Sequence, residues 1–321
     1  MTLVIGTDEA GYGPNLGPLV VAATAWRIAA GPDEAETAVA AAVAAASSAA
    51  GGGRLWSDSK EVYRAGDGLE PLERGVLAGL VLAGEETPAE WPALDRMVGP
   101  ISPPGGCQGQ WHELATLGLP LAAAAADCHA AAAVARAPLA SHGVSLRRVA
   151  CRCIYPAEFN ALLHRGLNKS DVLSQATLDL AALLRSDAAD EPALVWCDRH
   201  GGRKRYGGLV ARHFDAPLVR PLEETPARSA YAVPAASGGA AACRVEFCVG
   251  GEARPPVALA SMTAKYVREL AMRAFNAFWS ARQPGLGPTA GYPTDAVRWR
   301  RDAAAAVARE RIAEDDLWRR A

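Results

Sequence analysis

The apolar positions change period along the chain, and the changes mark its elements. "TLVIGTD" (2–8) and "GPLVVAATAWRI" (17–28) are short, β-branched and bounded by glycine, which predicts two strands joined by a tight turn. "RRVACRCIY" (147–155) predicts another strand, and "PALVWC" (192–197) is a continuous apolar run, as expected of a strand covered on both faces. That run stops at Asp198. Helical period appears in "LPLAAAAADCHAAAAVARAPLA" (119–140), in "NKSDVLSQATLDLAALLR" (168–185) with polar Asn168 and Ser170 at its start, and in "VALASMTAKYVRELAMRAFNAFWSAR" (257–282). The last places Val267, Leu270, Ala271, Ala274 and Phe278 on a buried stripe.

Other stretches carry weaker signals. "DEAETAVAAAVAAASSAAGGG" (33–53) favours helix on propensity but offers little side-chain area, so it reads as a peripheral helix or a linker. No period survives over 87–109, where Pro, Gly and Trp crowd; this reads as an inserted loop. The segment 217–256 reads as a second insert, with "CRVEFCVGG" (243–251) in an extra hairpin. No fixed repeat is present, which excludes a solenoid or propeller. The expected class is α/β: a mixed β-sheet flanked by helices, with inserted loops and a C-terminal helical segment.

The chain has 321 residues, is 50% hydrophobic and carries a formal net charge of −2, so any polyanion must be gripped locally, at patches such as "RHGGRKRYGG" (199–208) and "VRWRR" (297–301). Seven cysteines without a CxxC pair exclude a disulfide framework and a structural zinc site and read as reduced core thiols, Cys197 among them. With no leader-like start and no long apolar run, a cytoplasmic chain without a membrane partner is expected.

Acidic residues recur where strands end. Asp8 and Glu9 stand back to back at a glycine-rich turn, and adjacent strand residues point to opposite faces, so they share a site only if the strand ends between them. Gly11 and Gly13 permit that. Asp198 ends another buried strand, and Ser261, Lys265 and Glu269 follow at four-residue spacing on one face of the late helix. If these meet, Asp8, Glu9, Asp198 and Glu269 form a cluster whose repulsion hard divalent ions would relieve. Oxygen ligands suit Mg²⁺ or Mn²⁺, and paired ions about 3.5 to 4 Å apart serve in-line phosphoryl displacement. Singly, each acid has a structural use as a turn residue, a helix cap or a surface pair. His200 reads as an exposed loop side chain, and Trp299 either stacks on a base or packs inward.

These segments together resemble the type 2 ribonucleases H. "GTDEAGYGPNLGPLVVAA" (6–23) is similar to their Asp-Glu-Ala-Gly signature, "WSDSKEV" (56–62) to their Asp-Ser-Lys segment, and "LNKSDVLSQATLDLAALL" (167–184) to the helix before the third acid. "VWCD" (195–198), "ASMTAKYVRELAM" (260–272) and "GYPTDA" (291–296) follow in the same order. The resemblance implies an RNase H-like catalytic domain over 1–290 and a helical extension over 291–321 packed on it, in a monomer. It implies that Asp8, Glu9, Asp198 and Glu269 hold two Mg²⁺ or Mn²⁺ ions and cut the RNA strand of RNA:DNA hybrids, or ribonucleotides within duplex DNA, leaving 3′-hydroxyl and 5′-phosphate. Gly11, Tyr12 and Gly13 match the junction-reading loop, Tyr292 the tyrosine that stacks on the neighbouring deoxyribose, and Ser59, Lys60 and Lys265 positions near phosphates. Tyr12 stands where the family usually has arginine, so one phosphate or metal-shell contact is missing or rebuilt. Glu269 stands where Asp is commoner. A junction resolvase, an exonuclease and a non-cleaving hybrid-binding protein are the rival readings.

Overall fold

Strand β1 (Thr2–Ala10) runs antiparallel to β2 (Leu19–Ile28), which runs antiparallel to β3 (Val144–Ile154). On its other side β1 is parallel to β4 (Ala193–Asp198), and β4 is parallel to β7 (Cys243–Cys248). Antiparallel β6 (Arg228–Val233) and β5 (Arg220–Glu224) complete the order β3-β2-β1-β4-β7-β6-β5. This computed structural model describes residues 1–50, 55–57, 62, 68–99, 117–216, 218–235 and 241–320. Ser59 and Lys60 lie outside the described residues.

The helices are α1 (Ala35–Ala49), α2 (Glu70–Leu82), α3 (Trp91–Val98), α4 (Ala125–Ser141), α5 (Pro156–His164), α6 (Lys169–Ser186) and α7 (Gly207–His213). They continue with α8 (Pro255–Arg282), α9 (Pro293–Asp302), α10 (Ala304–Glu310) and α11 (Glu314–Leu317). A mixed sheet flanked by helices is thus what the chain forms. Among the described residues, no helix is long and apolar enough to cross a membrane.

Strand parity explains the two cores. Val4, Ala22, Trp26 and Trp196 point to one face, where α1, α2, α4 and α8 cover them; Ile5, Val21, Ala23 and Val195 point to the other, under α5, α6 and α7. Both faces are buried, hence the unbroken apolar runs. The alanine-rich segment is a packed helix: Ala35, Ala42 and Ala46 are buried against the equally small side chains of α4, and Val39 and Val43 fill the remaining space. Gly6 lets α8 approach β1, since a Cβ there would lie 2.2 Å from the Pro256 carbonyl carbon. Thr24 Oγ1 donates to that carbonyl oxygen at 2.7 Å and accepts from Trp26 Nε1 at 2.9 Å, which pins the start of α8 to the sheet.

Two segments differ from the sequence reading. Within 87–109, α3 forms with Trp91 and Leu94 buried; Pro92 in its first turn suits a helix start and had masked the period. In segment 217–256 the expected hairpin forms from β6 and β7, but it is not an added insert, because β7 also pairs with β4 inside the sheet. Glu246 obscures its apolar pattern. That carboxylate is buried within β7 and meets Arg228 at 2.7 Å, Arg244 at 2.6 Å and Arg254 at 3.2 Å.

A third core joins the C-terminal helices to α8. Trp299 is fully buried, its ring 5.0 Å from Phe275 and 5.3 Å from Trp279, so it packs inward. Cys197 is buried in β4, and the described cysteines are free thiols.

Glu73 on α2 is a buried anchor. Its carboxylate accepts from the backbone N–H groups of Leu121 (2.7 Å), Ala122 (2.6 Å) and Ala123 (2.8 Å) and from the Tyr266 hydroxyl (2.7 Å). Removing it strands these donors away from water, so Glu73→Ala is expected to cost roughly 3 kcal/mol or more in denaturant unfolding. A loss below about 1 kcal/mol would show that the knot contributes little.

Candidate active site

The parallel pairing of β1 with β4 sets the site. Thr7 is level with Cys197, so Asp8 and Asp198 follow side by side where the β1–β4 pairing stops at the carboxyl edge of the sheet. The strand does not end between Asp8 and Glu9, as the sequence reading required: β1 stays paired with β2 through Ala10, and the two charges still act on each other because neighbouring carboxylates at a strand edge are close whichever face each leaves from. This edge is where open α/β sheets bind ligands. Strand β7 ends level with them, pairing Cys248 with Asp198, and turns through Gly250 at φ 72° into a 3-10 turn, Gly251–Ala253. Gly251 N–H donates to Asp198 Oδ1 at 2.8 Å, and a Cβ on Gly251 would lie 3.1 Å from Asp198 Cα. A side chain there would press on Asp198 unless the turn gave by a few tenths of an ångström. The turn presents Glu252 to the same space, where Ser261 of α8 donates to Glu252 Oε1 at 2.7 Å and stands in hydrogen-bond contact with Asp8.

The electrostatics follow from crowding. Burial, then the Glu9, Asp198 and Glu252 charges, raise the Asp8 carboxyl well above the carboxylate range, while Ser261 opposes the shift. Burial and the Asp198 charge push Glu9 up to about 8. Asp8 Oδ2 and Glu9 Oε2 are buried without a hydrogen-bond partner among the described residues. Once ionised, these crowded carboxylates are acceptors only, and a hard divalent cation would relieve the repulsion that otherwise holds protons on them. Among the described residues, no group of three ligating side chains stands in an arrangement that could hold an ion.

Glu269 is not one of these acids. It lies eight residues beyond Ser261 on α8, about 12 Å along the axis, and is absent from the charges acting on Asp8 and Glu9. It acts instead on Arg268. Four-residue spacing shares a helix face, but the strand ends meet that face only near Ser261. Lys265 lies between, one turn from Ser261. Glu252, which the sequence reading missed, carries the same signal as Asp8 and Asp198: an acid just beyond a buried strand, here after two glycines.

Beside the acids, Gly11 turns the chain at φ 83°, where a Cβ would lie 2.4 Å from Arg268 Nε. Gly13 faces the Tyr292 ring, 3.9 Å from the position a Cβ would take, and Tyr292 is 54% exposed. Buried Arg268 donates to the Ala290 carbonyl at 2.9 Å and the Leu16 carbonyl at 3.4 Å. Fully buried Arg319 donates to the Gly11 carbonyl at 2.6 Å and to that of Pro14. The loop therefore rests on two arginines, one from α8 and one from the C-terminal segment. His200 is buried, not exposed: it bonds Ser174 Oγ at 2.9 Å, packs edge-on against Phe247 and Tyr206, and burial lowers its pKa to about 3. It sits in the core as neutral imidazole.

No family model and no curated protein matches the chain. Among solved structures it is similar to the RNase HII of Archaeoglobus fulgidus in its PCNA complex, at 17% identity and TM-score 0.41, over 98% of this chain and 93% of that one. It is also similar to the ribonuclease H2 of Pyrococcus horikoshii OT3, at 15% identity and TM-score 0.40 over 98% and 92%. For the RNase H3 of Aquifex aeolicus the values are 13% and 0.41 over 98% and 70%. At these scores the likeness says nothing about shared chemistry.

The clustered acids make metal-free stability depend on pH. Glu9 ionises near 4.5 when unfolded and near 8 when folded, so the folded state holds the proton more tightly. That contribution is complete below about pH 4.5 and is lost as pH rises through about 8. The melting temperature of the metal-free protein is expected to fall across this window, with Mg²⁺ or Mn²⁺ raising it more at the alkaline end, where no proton must be displaced. A flat profile without metal would contradict the clustering.

Proposed function

We propose that the chain is a metal-dependent endonuclease that hydrolyses the RNA strand of RNA:DNA hybrids, with Asp8, Glu9, Asp198 and Glu252 as its ligand set. The observation that carries this reading is that Asp8 and Glu9, each with a buried side-chain oxygen that has no hydrogen-bond partner among the described residues, share one strand edge with Asp198 and Glu252, whose charges raise the pKa of both. Two divalent ions bound there would neutralise the acids, activate water and stabilise the departing 3′ oxygen.

The chain's own residues do the rest. The sheet fixes the backbone of Asp8 and Asp198, and the glycine turn and Ser261 hold Glu252 beside them, so only side-chain rotations are left to bring the ligands onto an ion. The glycines at 11 and 13 let backbone approach a sugar, and the 2′-hydroxyl is the group that separates ribose from deoxyribose. Tyr292, exposed and facing Gly13, offers a flat ring for the sugar beyond the cut. The P–O3′ bond breaks as the bond from water to phosphorus forms, leaving 3′-hydroxyl and 5′-phosphate. This loop beside the acids favours a hybrid over a four-way junction.

The test compares an RNA:DNA hybrid, a duplex with a single ribonucleotide and a DNA four-way junction, each with Mg²⁺ and with Mn²⁺. Nicking of the hybrid in the RNA strand is expected. Asp8→Asn, Asp198→Asn and Glu252→Gln should each reduce the rate more than about a hundredfold, since even groups that only orient metal ligands cost 10–100-fold. Glu269→Gln should stay within a few-fold of the parent. Cleavage confined to the junction, or hybrid binding without cleavage, would overturn the reading; equal losses for Glu252→Gln and Glu269→Gln would overturn the ligand set.

A further inference from the structure

Lys169 is a cation without an acid. As the first residue of α6 it is fixed by the capping box next to it, in which Asn168 Oδ1 accepts from Asp171 N–H at 3.0 Å and Asp171 Oδ2 accepts from Asn168 N–H at 3.0 Å. Asp171, the nearest carboxylate in sequence, is already used: its other oxygen pairs with Arg203, whose Nε also donates to Ser170 Oγ at 3.0 Å. Among the described residues, no carboxylate pairs with Lys169. Its ammonium instead sits 4.7 Å from the centroid of the Tyr12 ring. Burial and the positive charge of Arg319 both work against its charged form, and no acid works for it.

The loop beneath is oriented for an anion. Because the Gly11 carbonyl points down to Arg319, the Tyr12 N–H on the same planar trans peptide points the opposite way. The N–H groups of Tyr12 and Gly13 have no backbone partner among the described residues. Arg319 is fully buried with Nε and Nη1 lacking hydrogen-bond partners among the described residues, so it sets positive charge under the loop, while the Glu9 carboxylate acts on Tyr12 from the side of the acids. Position 12 itself is an uncharged ring. The ammonium therefore arrives from α6, across that ring, at the place where the loop has no cation of its own.

We propose that Lys169 binds a backbone phosphate of the nucleic acid, holding it over Tyr12 and against the Tyr12 and Gly13 amides. This rests on the nuclease reading and adds a named phosphate contact to it. A lysine contacting phosphate acts as a point charge that releases counter-ions, so it contributes to affinity and to salt dependence at once, whatever the base sequence.

The experiment measures hybrid binding by the full chain without divalent metal, across a range of KCl concentrations, for the parent, Lys169→Met and Lys169→Arg. Methionine keeps an apolar stem on Tyr12, and arginine keeps the charge. Lys169→Met is expected to lower the slope of log affinity against log salt by about 0.9 and to weaken binding equally for unrelated sequences, with an unchanged melting temperature; Lys169→Arg should restore the slope. An unchanged slope and affinity in Lys169→Met would overturn the proposal while leaving the nuclease reading intact. If the parent binds neither hybrid nor duplex DNA, both fall together.

Discussion

Like charges held together by strand pairing are the constraint from which the rest of this molecule follows. The register of β1 against β4 brings Asp8 level with Asp198, and the β4 to β7 pairing delivers a third chain exit to the same edge. Backbone hydrogen bonds of the sheet fix these positions, so the carboxylates cannot separate to relieve their repulsion. They hold protons instead, or they take cations.

Much of the surrounding architecture serves to keep that edge in place. Gly6 allows the backbone approach that seats α8, which a side chain there would drive away, and Gly251 leaves the Glu252 turn room against Asp198. Arg268 and Arg319 hold the Gly11–Leu16 loop through its carbonyls, which ties the C-terminal segment to the mouth of the site. A chain cut short before Arg319 would lose one of the two supports. The aromatic cluster of Phe275, Trp279 and Trp299 carries the same coupling from below, by joining α8 to α9.

The sheet was legible because "TLVIGTD" and "GPLVVAATAWRI" are β-branched and bounded by glycine and "PALVWC", buried on both faces, is a continuous apolar run. Asp8 and Asp198 were legible for the same reason, as acids that end such runs. Glu252 was hidden because Glu246, matched by three arginines, breaks the apolar run of β7, so the strand read as part of an inserted hairpin and not as one that ends beside Asp198. Glu269 attracted attention through helix-face spacing, which fixes direction around the axis but not distance along it. His200 and Arg319 are polar residues buried by long-range partners, and nothing local in the sequence announces such burial.

Crystals grown with Mn²⁺ and measured at an energy where manganese scatters anomalously test the central claim directly. Anomalous density is expected between the carboxylates of Asp8, Glu9, Asp198 and Glu252, with Glu269 outside the coordination sphere. Density coordinated by Glu269 without Glu252, or an empty strand edge at saturating Mn²⁺, would contradict it.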